Sequence, residues 1–264
     1  MKMHRVVAVA VVALLAGCAR QLPKSEQFTS TERSQQSLTF DPTGVTVDEN
    51  GRRLLWDSQR GLVTATAPHE LILDTRQAIS SAVIEDVVSM PNNRVGVIAR
   101  NEGRVIDLGT KAVVSRFCYL PGSLPQPNPT PENPQPTLSQ LSRSIAFGVD
   151  EGRIYVQPQT FQDARAIDTQ LGQFEIGNEQ PLDWQQMEEL EGIAGGMVIT
   201  KQNRMLIGLG TRIYEYDALG KRWVRGLDLS GRLVSIEGLA IDRTTNSLLV
   251  LDGPGRRLLE FDVP

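Results

Sequence analysis

The sequence predicts an all-β domain over residues 37–264, folded as a β-propeller, and two observations lead to this prediction. The first is a repeat, because the phrase Glu-Gly-Ile-Ala at 191–194 returns as Glu-Gly-Leu-Ala at 237–240. The second is that short apolar runs alternate with polar turns, while helical periodicity is nearly absent. Short strands repeated every roughly 40–50 residues are typical of propeller blades.

Aligning the chain on the glycine of this phrase reveals five repeats. The equivalent positions are Gly44, Asp86, Ser144, Gly192 and Gly238. Each is followed by an apolar strand, a turn rich in Gly, Asn or Asp, and a second apolar strand. The longest interval contains residues 121–136, where proline is frequent. Because proline lacks the backbone donor of a strand, this segment is predicted to be a surface loop.

Five repeats predict five blades. The last repeat reaches the end of the sequence after its third strand, so residues 37–40 are expected to supply the missing outer strand and close the ring. A degenerate sixth blade between 157 and 190 is the main alternative. A β-sandwich would accommodate the strands but would not explain the period.

The N-terminus predicts export and lipidation. Residues 1–17 contain a basic start and a ten-residue apolar run at 6–15, which is shorter than the roughly 18–20 residues of a membrane span. The tetrapeptide Leu-Ala-Gly-Cys that ends at Cys18 resembles the lipobox of bacterial lipoproteins. An ordinary secretory signal is the alternative. The polar residues 18–36 are predicted to be a tether.

The lipobox resemblance implies that Cys18 carries a diacylglycerol and an N-acyl chain such as palmitate. More than one chain gives stable membrane attachment. Because residue 19 is Ala rather than Asp, lipoprotein sorting implies the outer membrane, with the domain facing the periplasm. Cys118 is then the one remaining thiol, so no internal disulfide is expected.

The charge composition argues against one class of partner. The chain has 27 Lys and Arg against 31 Asp and Glu, and no basic cluster. Nucleic acid binding requires clustered cations, so nucleic acid is not an expected partner.

The residues that directly precede the five aligned positions are predicted to converge in the central channel. These residues are Thr43, Glu85, Arg143, Glu191 and Glu237. Neighbouring carboxylates repel each other unless a cation compensates them. Arg143 is one such cation, and Ca²⁺, which prefers oxygen ligands, is another. Three roles stay open: binding backbone N–H groups of adjacent blades, holding an ion or polar ligand, and catalysis.

Catalytic patterns are scarce elsewhere. There is no Gly-x-Ser-x-Gly elbow and no cluster of His or Cys that would bind zinc. His69 is the one histidine outside the signal segment, and Cys118 lies in an apolar run. A binding role is therefore expected rather than an enzymatic one.

The Glu-Gly starts, the Asn-x-Leu-Leu-Val strand and the endings Tyr-Glu-Tyr-Asp and Leu-Glu-Phe-Asp resemble the SdiA-regulated propeller family. Its relatives are the esterase-like phytases and NHL-repeat proteins. The resemblance covers roughly 187–263 and implies metal binding by channel glutamates. The positions that match the family motif are Glu191 and Glu237, whereas Glu85, Arg143 and Thr43 depart from it.

Together these observations predict a lipid-anchored propeller of the cell envelope that acts as a binding or scaffolding module. The expected partners are the membrane, through the lipid, and an envelope protein. The channel is expected to hold an ion, calcium being the candidate, or a polar ligand. The alternative is a calcium-dependent hydrolase of a lactone or phosphoester.

Overall fold

The computed structural model describes residues 30–74, 84–99, 102–118, 142–148, 153–158, 165–168, 179–181, 194–202, 204–217 and 222–264. The predicted signal segment 1–17, Cys18, the proline-rich residues 121–136 and Glu191 lie outside these ranges. Within them, no helix has the length and apolar character needed to cross a membrane.

The described residues form twenty strands. They are β1 (Glu32–Ser37), β2 (Gly44–Val47), β3 (Arg53–Asp57), β4 (Gly61–Thr64), β5 (Leu71–Leu73), β6 (Asp86–Met90), β7 (Arg94–Ala99), β8 (Glu102–Asp107), β9 (Val113–Cys118), β10 (Ser142–Gly148), β11 (Arg153–Pro158), β12 (Arg165–Asp168), β13 (Glu179–Pro181), β14 (Ala194–Ile199), β15 (Arg204–Leu209), β16 (Arg212–Asp217), β17 (Arg222–Asp228), β18 (Ile236–Asp242), β19 (Ser247–Asp252) and β20 (Arg257–Asp262).

These strands pair into five antiparallel sheets of four strands within the described part of the chain. Sheets 1 to 4 are β2–β5, β6–β9, β10–β13 and β14–β17, and sheet 5 has the order β1-β20-β19-β18. The first strands contact one another in the cyclic order β2, β6, β10, β14, β18 and back to β2. The prediction of an all-β propeller is confirmed. The described strands β11 to β13 continue the sheet that β10 begins.

Apolar contacts between adjacent sheets form the core. Leu54 and Trp56 of sheet 1 belong to one buried cluster with Val87 and Val95 of sheet 2. A second cluster joins sheets 4 and 5, and a third joins sheets 5 and 1. Every residue of β19 is buried because neighbouring sheets cover both of its faces. Each large apolar side chain buried in this way contributes about 1.5–3 kcal/mol.

The strand that closes the ring lies earlier in the chain than predicted. Residues Glu32–Ser37, not 37–40, form β1 and pair antiparallel with β20. The tether prediction is therefore wrong for residues 32–36. An outer strand is held by backbone hydrogen bonds and exposes most of its side chains, so it carries no apolar pattern. The apolar residues of the predicted segment, Leu38 and Phe40, are buried just after the strand.

Candidate functional site: the two ends of the central channel

One end of the channel is formed where the first strands begin. The N–H of Thr43 donates to the Trp56 carbonyl over 2.9 Å, and the N–H of Glu85 donates to the Ile98 carbonyl over 2.9 Å. These two positions are therefore equivalent in sheets 1 and 2. Glu237 occupies the same position before Gly238 in β18, and Arg143 does so before Ser144 in β10. That these residues act together as one ligand ring stays a prediction.

The environment of this end is crowded. The Cγ of Glu237 lies 2.6 Å from where a Cβ on Gly253 would be, and the Pro42 carbonyl oxygen lies 3.1 Å from the same point. The Thr43 hydroxyl is buried and has no hydrogen-bond partner in the described structure. Among the described residues, no three His, Cys, Asp or Glu side chains cluster as metal ligands do. The predicted calcium pair is not tested, because Glu191 lies outside the described ranges.

The aligned residues Gly44 and Gly238 lie where adjacent sheets come close together. A Cβ on Gly238 would lie 3.1 Å from the backbone nitrogen of Val45 in the next sheet. A Cβ on Gly44 would in turn lie 3.0 Å from a carboxylate oxygen of Asp86. The first strands of sheets 5, 1 and 2 therefore lie in close contact at this level, and this zone of contact between adjacent first strands is called the collar below.

The structure places a cavity at the other end of the channel. Its volume is about 270 Å³, and all five first strands line it along their second halves, together with the turns that follow. Side chains from each sheet contribute to the apolar wall, among them Val47, Val88, Phe147, Val198 and Ile241. Of the predicted channel residues whose side chains the structure describes, Thr43, Glu85 and Glu237, none is among the lining residues. Along β2, Thr43 precedes the first lining residue by two positions, or about 7 Å.

A few polar groups interrupt the apolar wall. Thr46 is buried, and its hydroxyl accepts the N–H of Ser89 over 2.7 Å, which joins sheets 1 and 2. The hydroxyl of Ser89 is buried and has no partner in the described structure. Sequence reasoning missed these residues because a Thr or Ser within an apolar strand gives no specific signal.

The charged groups at the mouth of the cavity differ in how they are compensated. Asp48 pairs with Arg52 and also accepts two backbone N–H groups. Glu49 is exposed and accepts the N–H of Asn92 over 3.2 Å. Arg243 is half-buried and lines the cavity. It makes no hydrogen bond or ion pair with any of the described residues.

Asp242, which precedes Arg243 in the chain, already has hydrogen-bond and ion-pair partners. It is 2% exposed, and one carboxylate oxygen accepts hydrogen bonds from Thr244 and Thr245. The other oxygen lies 3.4 Å from Arg53 of sheet 1. Burial alone would raise the pKa of Asp242, but the hydrogen bonds from the two threonines lower it below its ordinary value. Asp242 is therefore ionised and fully partnered.

Comparison with known families and with curated proteins gives no match. Solved structures do share the fold. One is a protein of unknown function from Bacteroides caccae, with 14% identity and a TM-score of 0.52 over 81% of this chain and 71% of that chain. Another is a gluconolactonase from Xanthomonas campestris, with 12% identity and a TM-score of 0.53 over 83% of this chain and 71% of that chain. At such identities the likeness shows the fold alone.

Proposed function

We propose that this chain is a five-bladed, lipid-anchored propeller of the bacterial envelope that binds a small molecule in its central channel. The observation that supports binding is the cavity of about 270 Å³ that the first strands of all five sheets enclose. Small-molecule sites are typically concave and mostly apolar, with a few placed polar groups. This cavity has that character.

Binding is favoured over catalysis at this end of the channel. The described residues that line the cavity include no histidine, cysteine or lysine. The described lining therefore lacks the histidine or lysine that often activates a hydroxyl nucleophile, and its carboxylates, Asp48 and Glu49, already bind Arg52 and the Asn92 N–H. A rigid ring of sheets with an apolar channel can hold a ligand without any chemical step.

A cavity-filling variant tests the binding site. Val88 is half-buried and lines the cavity on β6, so Val88→Phe should occupy the space. The matched control is Val114→Phe on the outer strand β9 of the same sheet, where the side chain is 47% exposed. A fragment collection is screened by saturation-transfer NMR. We expect hits on the wild type and on Val114→Phe that are lost in Val88→Phe. Equal hits on both variants would contradict the proposal.

The proposed location in the cell envelope depends on lipidation of Cys18. Only residues 18–31 would then separate the lipid from β1, a reach of at most about 50 Å. The propeller would therefore sit close to the membrane, with sheet 5 attached through its outer strand. Globomycin should cause the precursor to accumulate, and Cys18→Ser should release the domain from the membrane fraction. A soluble wild-type protein would exclude the anchor.

An envelope protein partner is part of the same proposal and is tested by pull-down with the intact lipoprotein.

A second candidate is a calcium-dependent hydrolase of a lactone or phosphoester, with Thr43, Glu85, Arg143, Glu191 and Glu237 at the opposite end of the channel. The fold shared with a gluconolactonase supports keeping this candidate. Gluconolactone hydrolysis with and without calcium tests it. Hydrolysis that disappears in Glu191→Gln and Glu237→Gln, with the fold intact, would favour the hydrolase. Calcium binding without hydrolysis would instead favour an ion site.

A further inference from the structure

We propose that the channel cavity binds a small apolar monocarboxylate, whose carboxylate pairs with Arg243 at the mouth while its apolar body occupies the wall of the five first strands. This inference deepens the proposed binding function and depends on it. It concerns the end of the channel opposite to the predicted glutamate ring.

The size of the cavity sets the size of the ligand. A volume of about 270 Å³ corresponds to about nine water molecules at about 30 Å³ each. A ligand of about nine non-hydrogen atoms would therefore fill it. Such a molecule gains most of its affinity by removing apolar surface from water. The side chains of Val47, Val88 and Ile241 provide that surface.

The charged side chains at the mouth of the cavity favour an anionic head group on the ligand. Asp48 is neutralised by Arg52, and Asp242 is held by Arg53 and two threonines. Arg243 lines the same cavity and has no such partner in the described chain. A guanidinium fits a carboxylate through two parallel N–H···O bonds, which is the strongest polar contact available here.

Among the described residues that line the cavity, Glu49 is the acidic residue without an ion-pair partner, so its charge opposes an anion. It is exposed and accepts the Asn92 N–H, so its charge is partly screened by water. Removing this charge should strengthen binding of a carboxylate. The sign of the Glu49 effect therefore separates an anionic ligand from a cationic one.

The test compares heptanoate, heptan-1-ol and heptylammonium, which share one chain and differ in head group. Binding to the full domain is measured by calorimetry and saturation-transfer NMR. We expect heptanoate to bind most tightly, Arg243→Gln to weaken it by about tenfold or more, and Glu49→Gln to strengthen it by a few-fold. Arg256→Gln is the control, because Arg256 is also a turn arginine but is exposed and does not line the cavity.

The outcomes separate this inference from the proposed function. If the alcohol binds as tightly as heptanoate, is unaffected by Arg243→Gln and is lost in Val88→Phe, the cavity is a binding site but not for a carboxylate. Tightest binding of heptylammonium, weakened by Glu49→Gln, would also overturn the inference. If none of the three compounds binds and the fragment screen is empty, the proposed function fails with it.

Discussion

The guanidinium of Arg53 lies 2.9 Å from a carboxylate oxygen of Glu260 and so joins the second strand of sheet 1 to the third strand of sheet 5. The other carboxylate oxygen of Glu260 accepts the Ser34 hydroxyl over 2.9 Å. Ser34 lies on β1, so one largely buried carboxylate on β20 connects β1 and β3 where the ring closes. Arg53 also reaches Asp242, which adds the first strand of sheet 5 to this closure cluster.

Replacing Glu260 by Gln should destabilise the protein by about 3 kcal/mol, because the charge of Arg53 would lose its closest partner in a partly buried site. The measurement is urea unfolding at neutral pH. The control is Asp262→Asn on the same strand, which pairs with Arg33 where both side chains are substantially exposed. Exposed pairs contribute about 0–1 kcal/mol. Equal losses in the two variants would show that the closure cluster is no stronger than a surface ion pair.

The closure cluster should make the free energy of unfolding depend on pH in the acidic range. Burial alone would raise the pKa of Glu260, but hydrogen bonds from Ser247, Ser34 and Arg53 lower it below its ordinary 4.5. The pKa of Asp242 is also lowered, below 3.8. Both groups bind protons more readily in the unfolded chain, so their contribution is complete above about pH 5 and is lost as the pH falls through the folded-state pKa values.

The expected result is a free energy of unfolding that declines from about pH 5 downward, with a shallower decline in Glu260→Gln. The measurement is urea unfolding at a series of pH values. Asp262→Asn again serves as the control, and its profile should parallel that of the wild type. Parallel profiles for all three proteins would mean that Glu260 does not contribute to the acid response.

Two carboxylates at equivalent positions of the repeat have different partners, which explains why the sequence repeat did not reveal the closure cluster. Glu215 and Glu260 occupy the same place in the phrases Tyr-Glu-Tyr-Asp and Leu-Glu-Phe-Asp. In sheet 4, Glu215 is 2% exposed and is paired by Arg204 and Arg225 of its own sheet. In sheet 5 the position of Arg204 is taken by Ser247, so Glu260 receives its cation from sheet 1 instead. Which residue compensates a carboxylate depends on neighbours far apart in sequence.

The sequence predicted the propeller because a period built from turns and apolar strands records local structure directly. It misplaced the closing strand because β1, with the sequence ERSQQS, is an outer edge with no apolar pattern. It directed attention to the beginning of the first strands and missed the cavity at their far end. An apolar residue such as Val88 gives the same pattern whether it packs between sheets or faces an open channel.

Removing β1 should open the ring. A chain that begins at Ser30 retains the contacts that β1 makes with the described residues, including the bond from the Gln36 side chain to the Ala65 carbonyl of sheet 1. A chain that begins at Leu38 loses the partner strand of β20 and exposes its backbone groups. We expect the first truncation to melt like the intact domain and the second to melt at a much lower temperature and to aggregate. The measurement is thermal unfolding followed by circular dichroism, with light scattering. Identical melting of both would show that β1 does not close the ring.

The collar of touching first strands should be the least tolerant part of the channel. Gly196 has φ +129°, and a Cβ there would lie 2.4 Å from the backbone nitrogen of Leu239 in the neighbouring strand. Gly210 also has a positive φ, of 57°, but nothing lies within 4 Å of its Cβ position. Gly210→Ala should therefore lower the free energy of unfolding by only the backbone strain, about 1–2 kcal/mol. Gly196→Ala adds a steric overlap with the backbone of the neighbouring strand, which cannot rotate away as a side chain can. The loss should then rise to about 3–5 kcal/mol. Urea unfolding of the two variants measures the difference. Equal losses would mean that sheets 4 and 5 can move apart without cost and that the first strands do not form a rigid collar.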